Sequence, residues 1–117
     1  MERPLIVTLR IHVPASMASH VTDLFEVYRG PVSARSGCVS VNLYSHFSNS
    51  SELLLVEEWS SRKALENHVR SDDFRRVLAI MDLADQPPDL RFHSVASTEG
   101  FDLVVKLRKK GGGDSVT

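Results

Sequence analysis

Residues Leu53–Phe74 read LLLVEEWSSRKALENHVRSDDF, and the change of period within them decides the fold. Up to Trp59 the period is two: Leu53, Leu55, Glu57 and Trp59 share one face, and Leu54, Val56 and Glu58 the other, as in a β-strand. Ser60–Ser61 breaks the strand. Beyond it Ala64, Leu65, His68 and Val69 stand at offsets of one, four and five, which is one face of a helix. His68 therefore points where the apolar residues point, and Trp59 ends the strand just before the turn. An indole and a titratable imidazole are both directed into the space between a sheet and its covering helix, where a small molecule can be held.

On the N-terminal side, Pro4–Val13 alternates Leu5, Val7, Leu9, Ile11 and Val13 against Ile6, Thr8, Arg10 and His12, a strand that Pro14 ends. From Ser16 the spacing becomes helical, with Met17, Val21, Leu24, Phe25 and Tyr28 on one stripe, and Gly30–Pro31 is expected to terminate or kink this helix. After Gly37, Cys38–His46 alternates Val39, Val41 and Leu43 against Ser40, Asn42, Tyr44 and His46, a second half-polar strand. The polar turn Phe47–Ser51 is short enough to make this strand and the next an antiparallel hairpin. On the C-terminal side, Ser71 is expected to cap a further helical segment carrying Phe74, Val77, Leu78 and Met81, stopped by Asp85–Pro88. A long last strand is expected over Leu90–Leu107, bent near Thr98–Gly100, and residues 108–117 read as a flexible basic, glycine-rich tail. The order strand, helix, strand, strand, helix, strand is the ferredoxin-like βαββαβ arrangement of an α+β domain, here residues 1–107.

With 117 residues the chain suffices for one core and is too short for two. Its apolar share of 42% and charged share of 25% are those of an ordinary soluble domain, and a net charge of -1 offers no general attraction to nucleic acid or an anionic membrane. No apolar run approaches the ~20 residues of a membrane span, and the alternating N-terminus lacks the apolar block of a signal peptide, so a cytoplasmic location is expected. The single cysteine, Cys38, rules out an internal disulfide and any multi-cysteine metal site. Two helices cover one sheet face only. The other carries Ile6, Thr8, Arg10, Ser40, Asn42 and Tyr44, too mixed for a core and too apolar in places to lie bare, which favours a homodimer with facing sheets and a last strand crossing to the partner.

His68 is the candidate general base, because an imidazole in an apolar pocket favours the neutral, proton-accepting form. Trp59 is the candidate platform for a planar aromatic substrate, Phe74, Leu78 and Met81 are candidate pocket walls, and Asn42 is a candidate for orienting a carbonyl. For each a purely structural role is the alternative. For His68 it is a core-edge histidine bonded to backbone, for Trp59 a core aromatic sealing the corner, and for Asn42 an inter-sheet hydrogen bond. His12, His46 and His93 lie on strands with no metal-ligand spacing, so no metal is expected.

The run E-E-W-S-S-R-x-A-L-E-x-H-V-x-S-x-x-F from Glu57 to Phe74 resembles the signature of the antibiotic biosynthesis monooxygenase family, small cofactor-independent oxygenases and their relatives. R-I-H-V-P at Arg10–Pro14, S-G-C-V-S-V-x-L-Y at Ser36–Tyr44 and R-F-H-S-V at Arg91–Val95 extend the resemblance over nearly the whole chain. The resemblance implies a dimeric α/β barrel with a pocket between sheet and helices in each subunit, and chemistry on phenols or quinols that uses neither metal nor flavin. In such chemistry a base removes an acidic substrate proton and the electron-rich anion reduces O2 itself. The anthrone-oxidising branch pairs its tryptophan with an asparagine, a tyrosine and an arginine, where this chain has Leu55, Leu65 and Ala79; only Trp59 matches. The haem-degrading branch has a tryptophan in place of His68 and an iron-ligating histidine in place of Leu78, so the resemblance does not extend to haem degradation. Leu65-Glu66-Asn67-His68 instead resembles the quinol-oxygenase-like and autoinducer-processing-like members. The expectation is a cofactor-independent monooxygenase of a small phenol or quinol with O2 as partner. An isomerase or other proton-transfer enzyme in the same pocket, or a non-catalytic small-ligand-binding module, are the alternatives.

Overall fold

The computed structural model describes residues 2–112. The elements are β1 (Leu5–His12), α1 (Ala18–Ser33), β2 (Cys38–His46), β3 (Asn49–Trp59), α2 (Arg62–Val69), α3 (Asp72–Met81), β4 (Asp89–Ser94) and α4 (Phe101–Gly112), with a 3-10 turn at Ala15–Met17 before α1. The strands form one antiparallel sheet in the order β2-β3-β1-β4. This is the α+β, ferredoxin-like architecture expected from the order of periods.

Register explains the core. β1 pairs with β3 so that Leu5 faces Trp59, Val7 faces Glu57, Leu9 faces Leu55 and Ile11 faces Leu53, and paired residues of antiparallel strands point the same way. All eight are buried. α1 lays Val21, Phe25, Tyr28 and Val32 onto this face, α2 adds Leu65 and His68, and α3 adds Phe74, Val77 and Ile80. The opposite face carries Ile6, Thr8, Arg10, Ser40, Asn42 and Tyr44, away from the helices that build the core, as the alternation requires.

Four local readings are corrected. Gly30–Pro31 does not stop α1, which continues to Ser33 with Pro31 inside its last turn. There the proline forfeits a single backbone bond near an end that frays in any case. A bulge between Cys38 and Ser40 turns Val39 outward, 56% exposed, and sets Cys38 opposite Trp59. β3 begins at Asn49, so only Phe47–Ser48 form the hairpin turn.

The largest correction concerns the C-terminus: β4 stops at Ser94, and Phe101–Leu107 belongs to α4. Phe101, Val104 and Val105 also fit a helical spacing, and Asp102 lies in the first turn, where the helix dipole favours an acid. A strand here would present a row of unpaired backbone groups, whereas a helix satisfies its own. Among the described residues no strand follows β4, so the expected long last strand is not formed. α4 also runs through the boundary at residue 108 where a flexible tail was expected, and residues 113–117 lie outside those described.

Gly37, in the turn between α1 and β2, packs against the start of α2. It adopts a left-handed φ of 85°, and a Cβ there would lie 2.3 Å from Ala64 Cβ and 3.3 Å from Ser60 Oγ. Its carbonyl accepts from the Ser60 amide at 2.8 Å, and the Ser61 side chain accepts from the Ala64 amide at 3.1 Å, capping α2. Ser71 precedes α3 as expected, but its hydroxyl donates to the His68 carbonyl at 2.6 Å instead of capping α3.

Candidate functional site

The end of β3 and the last turn of α2 bring Trp59 and His68 together. Their rings stack at 4.6 Å between centroids with 22° between planes, and the Phe74 ring from α3 meets the imidazole edge-on at 5.6 Å. Trp59 and His68 are both 0% exposed and Phe74 5%. The helical spacing that put His68 on the inner face and the strand period that put Trp59 there thus place both at one corner.

Two further residues complete the cluster. Glu57, two residues before Trp59 and on the same face, is 1% exposed; its carboxylate accepts from the Trp59 indole N–H at 2.9 Å and from the Tyr28 hydroxyl. The Tyr28 oxygen also lies 2.7 Å from His68 Nε2. The hydroxyl has one proton, and Glu57 takes it. The contact with His68 is then Nε2–H donating to the Tyr28 oxygen, which assigns the tautomer. His68 Nδ1 is left with a bare lone pair, and it is a buried atom without a hydrogen-bond partner among the described residues.

Burial pushes the His68 imidazole down to about 4, with the Arg35 guanidinium acting in the same sense and Asp73 against it. The ring is neutral at pH 7, so its unprotonated nitrogen is free to accept a hydrogen bond or a proton. Burial likewise raises the Glu57 carboxyl, opposed by its bonds from Tyr28 and Trp59, and raises the Tyr28 hydroxyl, to which the Glu57 charge adds. The sign of the His68 effect follows from linkage: between about 6.5, the unfolded value, and about 4 the unfolded chain binds the extra proton. Stability is therefore lost as pH falls through that window and unaffected by this group above it. Glu57 acts in the opposite sense just above the ordinary carboxylate range. From pH 7 to pH 4.5, wild type is expected to lose about 1–3 kcal/mol more than His68→Gln in urea denaturation, since the other titrations cancel in the difference. Parallel pH profiles would show that water or a counter-charge reaches the ring.

The remaining sequence candidates separate. Met81 is partly buried against the core. Leu78 is 48% exposed, because α3 turns Phe74, Val77 and Ile80 inward and leaves position 78 on the outer side. Asn42 pairs with Val56 on the sheet face away from the helices, so the sheet itself divides it from Trp59. Neither borders the cluster. His12 bonds Asp85 at 2.7 Å, His93 approaches Thr8 at 3.3 Å and His46 bonds Ser48. Among the described residues no group of three or more His, Cys, Asp or Glu side chains is placed to hold a metal ion. No helix among them is long and apolar enough to cross a membrane.

The enclosed space expected at the corner is filled by the side chains themselves. A cavity of about 320 Å3 lies on the flank of α2, with Leu5 and Leu65 in its wall. Leu5 is the cross-strand partner of Trp59, and Leu65 precedes His68 by one turn. Neither ring lines this cavity.

Comparison with known proteins gives the following. The family model described as antibiotic biosynthesis monooxygenase matches residues 4–79. The uncharacterized protein sll1783 of Synechocystis sp. (strain ATCC 27184 / PCC 6803 / Kazusa) is 25% identical over 97 residues, 82% of this chain; the match spans 66% of that protein, just under two thirds of its length. Among solved structures, Rv0793 from Mycobacterium tuberculosis superposes with a TM-score of 0.73 at 24% identity, covering 83% of this chain and 99% of that one. A variant of SnoaB, a cofactor-independent oxygenase from Streptomyces nogalater, superposes with a TM-score of 0.71 at 11% identity, covering 82% and 96%. At these identities the structures establish a shared fold.

Proposed function

The chain belongs to the antibiotic biosynthesis monooxygenase family, and from that membership we propose that it is a cofactor-independent monooxygenase of a small phenolic or quinol-type aromatic, with His68 as the base. The observation that carries this reading is the bare Nδ1 of His68, an unprotonated nitrogen held inside the fold with no partner of its own among the described residues. A buried nitrogen without a partner costs free energy, and a substrate O–H or acidic C–H would supply the missing contact. Tyr28 holds the opposite nitrogen protonated and the ring fixed, and Glu57 fixes Tyr28.

In the reaction Nδ1 takes the acidic proton, and the substrate anion supplies the electrons to O2. Recombination gives a hydroperoxide, and loss of water leaves a carbonyl: a CH2 and O2 become C=O and H2O, with every electron drawn from the substrate. The imidazolium first returns its proton to the peroxide anion, and the neutral ring then takes the second C–H proton as the O–O bond breaks and delivers it to the departing hydroxide. Trp59 and Phe74 are the aromatic walls, with Met81 farther along α3. Because His68 is 0% exposed, substrate reaches it by displacement of α2, an eight-residue helix set between Ser61 and the extended backbone of Ser71. A homodimer through the open sheet face belongs to the same proposal, with O2 and the aromatic as the small-molecule partners.

Oxygen consumption over a panel of quinols and polycyclic phenols tests this. His68→Ala is expected to lower the rate about 100-fold or more, while circular dichroism shows the fold retained. Equal rates in wild type and variant would remove His68 from the reaction. Turnover that continues unchanged without O2 would replace oxygenation by a proton-transfer reaction. Binding without turnover of any panel member would leave a ligand-binding module.

A further inference from the structure

The cavity on the flank of α2 has walls of two kinds. Leu5 and Phe92 form its floor on the β1–β4 side of the sheet, and Leu65 and Val69 overhang it from α2. The rim is charged: Arg62, Glu66 and Arg70 follow one another at four-residue spacing along the same edge of the helix. Glu66 sits between the two arginines, accepting from Arg62 Nε at 2.8 Å and lying 3.8 Å from Arg70 Nη2. One carboxylate thus balances one of two guanidinium charges. The Nη groups of Arg62 and the Nε of Arg70 engage no acceptor among the described residues.

A space of about 320 Å3 is at the low end of small-molecule sites. Apolar walls from a sheet and a helix form a slot suited to a planar ring, with the half-exposed Phe92 available for stacking. Guanidinium forks at the mouth match a carboxylate, which they grip with two parallel bonds. We propose that this cavity binds a small aromatic carboxylate, its ring between Phe92 and the Leu65–Val69 overhang and its carboxylate on Arg62 and Arg70. The site is separate from the His68 cluster, and binding there does not depend on any chemistry at His68.

The test uses the full chain and two probes of one shape, 2-naphthoate and the neutral 2-naphthalenemethanol, titrated by calorimetry and by methyl NMR. The acid is expected to bind about tenfold or more tightly than the alcohol, with shifts at Leu5, Leu65 and Val69 methyls. The double variant Arg62→Gln/Arg70→Gln, at two exposed positions where the fold survives, is expected to bring the two affinities together by weakening the acid alone. Val69→Trp fills the slot and is expected to abolish both. Equal affinity for acid and alcohol in wild type, no binding of either, an unchanged preference in the double variant, or shifts confined to other parts of the chain would each overturn the proposal. No turnover is measured, so failure here leaves the His68 reading standing, and failure there leaves this one.

Discussion

Glu57→Ala is expected to destabilise the protein by about 3–5 kcal/mol, a fall in melting temperature of roughly 12–20 °C for a domain of this size. The carboxylate is 1% exposed and takes protons from two donors, the Tyr28 hydroxyl and the Trp59 indole. Truncation leaves both donors buried, each costing about 1–3 kcal/mol, and a hole where the side chain lay. It also frees the Tyr28 proton to turn toward His68 Nε2, which drives the imidazole proton to Nδ1 and removes the bare nitrogen on which the proposed reaction depends. Stability and activity should therefore fall together. Glu57→Gln keeps an acceptor for the indole while its amide can donate to the Tyr28 oxygen, and should cost less than half as much. Equilibrium denaturation of the two variants decides the matter: a cost within about 1 kcal/mol for alanine would mean that the carboxylate's removal is compensated and the network is not what holds the corner together.

Gly37→Ala should be nearly as damaging, at about 2–5 kcal/mol. A non-glycine residue at φ 85° costs about 1–2 kcal/mol. The new methyl would also stand 2.3 Å from Ala64 Cβ, and overpacking of that kind costs about 1–3 kcal/mol. The two parts can be separated. Ala64→Gly in the Gly37→Ala background relieves the collision and leaves the dihedral cost, so the pair should be more stable than the sum of its single changes, as read by a double-mutant cycle. Strict additivity would show that the turn and the helix relax independently.

The sequence carried the corner but not the whole cluster. A change of period at Ser60 is a local feature, so strand, helix and the inward direction of Trp59, His68 and Phe74 could all be read from spacing. Glu57 was equally visible on the inward face, and a carboxylate at a buried register position is the cue that should have singled it out. Tyr28 was not legible in this way. It lies on α1, forty residues from His68, on a stripe that reads as ordinary core, and only the setting of α1 against β3 brings its hydroxyl to the carboxylate. Leu78 and Asn42 failed for related reasons: six apolar residues on α3, five of them consecutive from Val77 to Met81, leave the inner edge of the stripe ambiguous, and a polar residue on an outward strand face shares no space with a site beneath the helices. Phe101–Leu107 has apolar residues at spacings that satisfy either period, and with no partner strand beside it among the described residues the helix, which satisfies its own backbone, is the form it takes.

Trp59 is the chain's sole tryptophan, seated without solvent contact between an imidazole and a carboxylate. Its intrinsic fluorescence thus comes from one place and one place only. A blue-shifted emission band reports the sealed state, a red shift its opening to water, and changes in quantum yield the protonation of the neighbouring ring, which quenches more strongly as a cation. The proposed displacement of α2 can be timed by stopped-flow on the unlabelled protein, with no dye added.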